Sequence, residues 1–197
     1  MWGLDQQWLF FLDDDDRALV GRHRGEHMRA GFALQLVTMR WLGTFLEDPL
    51  DVPGNVLDFV AGQLDMADPS QVKRYTERAK TRFDHQWEIR RACGYREFAD
   101  AEAEFASWAA ARSRASGDGP KAIFLDGMAW LRERKILLPG VTTLAWLVAK
   151  IRDDSTRQLW DELEALLSPG QRRGLDRLLD VPPGSHLEAA ARSWLGP

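Results

Sequence analysis

Cys93 is the only cysteine in 197 residues. A single thiol excludes an internal disulfide framework and fits a reducing cytoplasm. No apolar run reaches the ~20 residues that a bilayer-spanning helix needs, so no membrane partner is expected. The opening MWGLDQQWLFFLDDDD has neither a basic start nor a small-residue cleavage site, which makes it a poor signal peptide. Period-two strand patterns are nearly absent, internal repeats are lacking, and low complexity is confined to four aspartates, Asp13 to Asp16. Gly117-Asp118-Gly119-Pro120 lacks the following Lys and Ser/Thr of a phosphate-cradling loop. A surplus of positive charge is missing as well: the formal net charge is −4, which on its own argues against nucleic acid.

The distribution of that charge says more than its sum. Residues 17–40 carry +4 and residues 71–96 carry +5, whereas residues 41–70 carry −6. Residues 121–150 form a third positive segment at +3. Segregation of this kind can build a DNA-binding face on a chain that is acidic overall. Hydrophobic and charged contents of 45% and 28% are ordinary for a soluble domain. The nine tryptophans are expected mostly between helices, with base stacking by one or two as the alternative.

Helix signals dominate, and the fold class is all-α. Asp13 to Asp16 offer N-cap carboxylates with solvated charges to a first helix. From His27 to about Phe45, apolar residues recur at three- and four-residue steps, as in Phe32, Leu36 and Met39, predicting a buried amphipathic helix. Helices are expected at 53–64, 69–78 and 80–93, with Asp68 as N-cap, Pro69 at the first position and Gly94 as C-cap. Three short helices joined by tight turns have helix-turn-helix dimensions. A second group follows at 99–114, 121–135 and 144–152, the last capped by Thr142 or Thr143. The tail has a capping-box signature in Ser168 and Gln171, and a last short helix at 185–195. The expected organisation is two helix-turn-helix-like units plus a helical tail. Residues 1–97 form an N-terminal helical DNA-binding unit and residues 98–197 the second unit and the tail, which could also pack as one domain.

Few residues suggest catalysis. His23-Arg24-Gly25-Glu26-His27 spells an inverted zinc-protease motif, yet it holds an internal glycine and has no identifiable third ligand. Consecutive aspartates point around a helix rather than converging on a metal. His85 and His186 have no recognisable partner, and Cys93 looks structural. No cofactor, metal or catalytic residue is therefore expected.

A resemblance rests on five blocks in order. They are His27-x-Arg29-x-Gly31-Phe32-Ala33-Leu34-Gln35-Leu36, preceded by Arg22, then Asp51-Val52-Pro53 with Val60-Ala61-Gly62-Gln63-Leu64, Thr81-Arg82-Phe83-Asp84-His85-Gln86-Trp87-Glu88-Ile89, Gly94-Tyr95-Arg96-Glu97-Phe98, and Leu137-Leu138-Pro139-Gly140-Val141-Thr142-Thr143-Leu144. Together they resemble the N-terminal region of Tn-three family replicative transposases of bacteria. Members usually have a further helical stretch before the segment matching Phe10-Phe11-Leu12-Asp13, and their Asp-Asp-Glu catalytic site lies in a C-terminal half. The resemblance thus implies a non-catalytic part that recognises terminal inverted repeats in double-stranded DNA during transposition. It also implies a cytoplasmic protein that is nucleoid-associated when bound. The basic residues expected at DNA are Arg22, Arg24, Arg29, Lys73, Arg74, Arg78, Lys80, Arg82, Arg90 and Arg91, with Thr81 and His85 on the same helix and the stretch from Thr81 to Gln86 placed for base readout. The alternative is an interaction or regulatory module of a truncated transposase, binding itself or the full-length enzyme without reading DNA. Hydrolysis through zinc is the third and weakest reading.

Overall fold

Every residue from Ala30 to Met39 is buried, and this run organises the N-terminal half of the molecule. The computed structural model describes residues 8–77 and 79–179; Arg78 and the helix expected at 185–195 lie outside them. After a single 3-10 turn, Trp8–Phe10, the chain forms α1 (Asp14–Val20), α2 (Glu26–Leu42) and α3 (Gly54–Gln63). A 3-10 segment, Pro69–Glu77, leads into α4 (Ala79–Cys93). Then follow α5 (Phe98–Ala115), α6 (Pro120–Glu133), α7 (Val141–Leu166) and α8 (Pro169–Leu179). The fold is all-α: among the described residues the one β-type pairing is an isolated parallel bridge between Arg96 and Ile136.

The central helix α2 is more than amphipathic. Burial on all sides of Ala30 to Met39 means that α1, α3, α4 and the 3-10 segment surround it. Of its two interior polar side chains, Thr38 Oγ1 donates to Leu34 O at 2.6 Å within the helix, and Gln35 Nε2 donates to Tyr75 Oη of the 3-10 segment while Gln35 Oε1 has no partner among the described residues. The helix stops at Leu42, earlier than periodicity suggests, because Gly43 adopts φ +79° and its N–H donates to Met39 O at 2.7 Å. Asp13 caps α1 in a reciprocal pair with Asp16. Asp16 is not solvated, however: it is 6% exposed and holds Arg40 of α2 through both carboxylate oxygens, at 2.9 and 2.5 Å.

Between α3 and α4 the sequence predicts an α-helix, and the chain instead winds into a 3-10 segment. Pro69, Val72 and Tyr75 are spaced by three, so a helix of three residues per turn stacks them on one side, with Val72 and Tyr75 buried against α2. Asp68 still acts as the cap, accepting from Ser70 N at 3.0 Å.

A second cluster is built from Ala101, Phe105 and Ala109 of α5, Ile123 and Leu131 of α6, and Leu144 and Val148 of α7, with Ile136 beside them. Phe105 sits over Gly127, where an added β-carbon would lie 3.1 Å from the ring. The helix expected at 144–152 is far longer. Nothing between Val141 and Leu167 is Gly or Pro, and Asp153-Asp154-Ser155 does not interrupt it: Ser155 is buried and Asp154 pairs with Arg157 at 3.0 Å. Its cap position is taken by Gly140, without a side-chain cap from Thr142 or Thr143. The Ser168–Gln171 capping box forms, with Ser168 N donating to Gln171 Oε1 at 2.9 Å.

The segment 134–139 stitches the two clusters together. Arg96 N donates to Lys135 O, Leu137 N to Arg96 O and Leu138 N to Gly43 O, at 2.8, 3.0 and 2.8 Å. Leu137 itself packs in the first cluster.

Candidate nucleic-acid interface

The geometry of α4 follows from which of its residues must face inward. His85 and Ile89, four apart, are buried, so residues 80, 83, 84, 87 and 91 fall on the opposite side. Gly94, at φ +71°, ends the helix, and Tyr95 N donates to Arg90 O at 2.9 Å. The outward face therefore presents Lys80, Phe83, Asp84, Trp87 and Arg91, all exposed.

His85 lies at the centre of a buried aromatic group rather than toward solvent. Tyr75 Oη accepts from Gln35, which leaves its proton for His85 Nδ1 at 2.9 Å. The His85 ring lies 4.3 Å from that of His23 and 5.1 Å from that of Phe32. Burial, reinforced by the neighbouring His23, pushes the His85 imidazole down to about 4. His23 is lowered too, by burial, against the opposing pull of Glu88, whose carboxylate lies 3.6 Å from Nε2. His85, expected at DNA, is buried at this position, 7% exposed.

The same contact has a consequence for the arginines. By docking on His85, His23 places the loop 21–25 against α4, and Arg22 and Arg24 of that loop are exposed. Neither makes an ion pair, nor do Arg29, Lys73, Arg74, Lys80 or Arg91 among the described residues. Arg29 is half-buried near the start of α2, and Lys73 and Arg74 are exposed on the 3-10 segment. Two other arginines are engaged within the chain. Arg82 Nη1 donates to Glu47 O and pins the turn after α2, while Arg90 pairs with Glu97. Thr81 is half-buried on the flank of α4.

The other basic segment is largely spent on structure. Lys135 Nζ donates to Cys93 O at 3.1 Å, at the C-terminus of α4, and Arg134 stacks on Trp130 at 4.2 Å. The residues of the zinc-like motif are not on one helix, because Gly25 at φ +87° separates His23 from α2, which begins at Glu26. No group of three potential metal ligands occurs among the described residues. Nor is any described helix long and apolar enough to cross a membrane.

Phe83 lies in the stretch expected to read bases, and Trp87, expected with the other tryptophans between helices, is exposed beside it. Their signal was available: they sit one turn apart, out of phase with His85 and Ile89. Each ring lies under a guanidinium, Arg82 at 4.8 Å and Arg91 at 5.2 Å from the ring centroids.

Comparison with known proteins adds the family. Residues 4–151 match the family model described as a domain of unknown function (DUF4158). Over 190 residues the chain is 40% identical to the transposase for transposon gamma-delta of Escherichia coli (strain K12), covering 95% of this chain and 19% of that protein. It is 25% identical to the transposase for transposon Tn1546 of Enterococcus faecium, covering 97% of this chain and 20% of that one. It is 27% identical to the transposase for transposon Tn501 of Pseudomonas aeruginosa, covering 94% and 18%. The chain thus spans about a fifth of the length of these curated relatives. With well over half of its residues inside one family model, and with Tn-three transposases as relatives, the chain belongs to the DUF4158 family.

Proposed function

We propose that this chain is a non-catalytic DNA-binding part of a Tn-three-like transposase, and that it recognises the terminal inverted repeats of its transposon through the outward side of α4. The observation that carries the reading is a set of cations on adjacent elements that have no ion pair among the described residues: Lys80 and Arg91 on α4, and Arg22 and Arg24 on the loop that His23 docks against it. Cations left without carboxylate partners can neutralise phosphates at little cost in broken ion pairs. Lys73, Arg74 and Arg29 extend the same contact set, and Thr81 and Gln86 are placed along α4 for base edges. Arg82 and Arg90 hold the turn after α2 and the start of α5 against α4, and so support the face from behind. Binding takes place in the bacterial cytoplasm, and the reaction chemistry belongs to a part of the transposase outside this chain.

The test is a gel shift with a duplex carrying the inverted repeat. Lys80→Glu with Arg91→Glu should weaken binding at least ten-fold, and the dependence of affinity on salt should become shallower by about 0.9 in log–log slope for each phosphate contact removed. Unchanged affinity at moderate salt would place the interface elsewhere. Equal affinity of the wild-type chain for the repeat and for random duplex would remove the end-recognition function.

One observation favours a second reading, in which the chain dimerises or binds the full-length transposase. Trp160, Leu163 and Leu166 stand 66%, 44% and 81% exposed along the far half of α7. Light scattering separates the two: a tight oligomer that shifts no duplex supports interaction alone.

A further inference from the structure

Phe83 and Trp87 are 56% and 54% exposed, although the core of this half of the molecule has its own aromatic members in Phe32 and Tyr75. Both rings line a cleft of about 380 Å³ between α4, the turn at 44–45 and the turn at 137–139. Phe45 and Leu138 continue the apolar lining. Gln86 and Thr44 supply polar atoms there, and neither side chain has a hydrogen-bond partner among the described residues. Arg90 lines the same cleft, paired with Glu97, and both also line a second, adjoining hollow with Trp87, Arg91, Arg96 and Asp100, where Arg91 is the cation without a carboxylate partner among the described residues.

We propose that this cleft receives an unpaired nucleobase of the bound DNA, an inference that rests on the DNA-binding reading above. Its dimensions suit one small planar group rather than a duplex groove. Exposed aromatic faces next to guanidinium groups are what a base and its flanking phosphate require: the π-face stacks on a ring, and the backbone charge meets a cation. Trp87 offers the larger face, Phe83 extends it by one helical turn, and the free amide of Gln86 can both donate to and accept from a base edge. An aliphatic protein segment would gain nothing from Arg91 beside it, so charge and ring chemistry together select a nucleotide. Such a pocket would hold a base splayed from the end of a duplex, or from a distorted step within it.

The probes are a blunt duplex carrying the inverted repeat, and the same duplex with a three-nucleotide single-stranded extension, each titrated with the whole chain and followed by fluorescence anisotropy. The extended probe should bind at least about five-fold more tightly than the blunt one, the least that base–aromatic stacking is expected to add. That ratio should fall to about one in Trp87→Ala and return in Trp87→Phe, which restores a stacking face. A ratio of one in the wild type would overturn the proposal and leave the cleft to a protein partner; so would a ratio that survives Trp87→Ala. Should Lys80→Glu with Arg22→Glu, neither of which lines the cleft, leave blunt-duplex binding intact while the extension still adds its five-fold, the duplex face is wrong and the base pocket stands.

Discussion

The ring of Tyr75 occupies the space that a β-carbon on Gly31 would need: the added atom would lie 2.1 Å from Tyr75 Cγ. The glycine is therefore not there for backbone freedom within α2. It is there so that the 3-10 segment can press an aromatic ring against the helix axis, and that ring in turn positions His85 of α4.

Gly31→Ala should consequently destabilise the protein even though alanine is the better helix former. Forced displacement of a packed ring costs about 1–3 kcal/mol, against a propensity gain of about 1 kcal/mol for alanine. Urea unfolding should show a lower midpoint for Gly31→Ala, and Gly31→Ala with Tyr75→Leu should recover part of it. A midpoint at or above that of the wild type would contradict the close approach.

Stability should also decline on mild acidification. His85 has a folded value of about 4, below the ordinary value of about 6.5. Between those values the unfolded chain binds the proton and the folded chain does not, so stability rises with pH through the window and is lost as pH falls from about 6.5 to about 4. Full titration across it corresponds to about 3 kcal/mol. His23, lowered in the same sense, adds to the effect. The urea midpoint of the wild type should drop measurably between pH 7.5 and pH 5, and that drop should shrink in His85→Gln. Equal pH dependence in both proteins would show that His85 is not the group responsible.

Two arginines of α4 should behave as opposites. Arg82→Ala leaves Glu47 O without its donor and should lower stability by about 1 kcal/mol. Arg91, whose guanidinium rests on Trp87 and has no ion pair among the described residues, should be replaceable by Ala with a change within about 0.5 kcal/mol, while duplex affinity falls. Thermal melts paired with gel shifts check both; reversal of the two stability effects would refute the division of labour.

Asp16→Ala removes both the reciprocal cap of α1 and the carboxylate that holds Arg40. A lost cap costs about 1 kcal/mol, and the half-exposed Arg40 can still find water, so the sum should be about 1–3 kcal/mol rather than that of a fully buried pair. Chemical denaturation decides it: a loss well below 1 kcal/mol would mean that the pair contributes little.

Much of the architecture was legible because it is written in local signals. Asp68, Gly94 and the Ser168–Gln171 box mark ends through hydrogen bonds within a few residues, and they act where spacing and residue type place them. Those signals failed where tertiary packing decides. Nothing in Pro69–Glu77 alone shows that Tyr75 must reach α2, so a period of three was read as an ordinary helix. The helix expected at 144–152 runs on as α7, because a stretch without Gly or Pro continues through charges that pair or face water. For the candidate interface, charge bookkeeping found the basic segments and could not tell free cations from engaged ones. Arg82, Arg90 and Lys135 are committed through partners 35, 7 and 42 residues away in the chain. The burial of His85 is illegible for the same reason, since its neighbours His23 and Tyr75 come from other elements.

Leu137 gives the molecule a property that neither helical group has alone. It arrives from the second group, fills a site in the core of the first, and is fixed there by its own N–H donating to Arg96 O and that of the next residue, Leu138, donating to Gly43 O. A chain cut in the turn before α5 would carry a missing tooth on one piece and a bare peg on the other. The two pieces should therefore reassociate when mixed, and a protease nick at that turn should leave a molecule that still migrates as one.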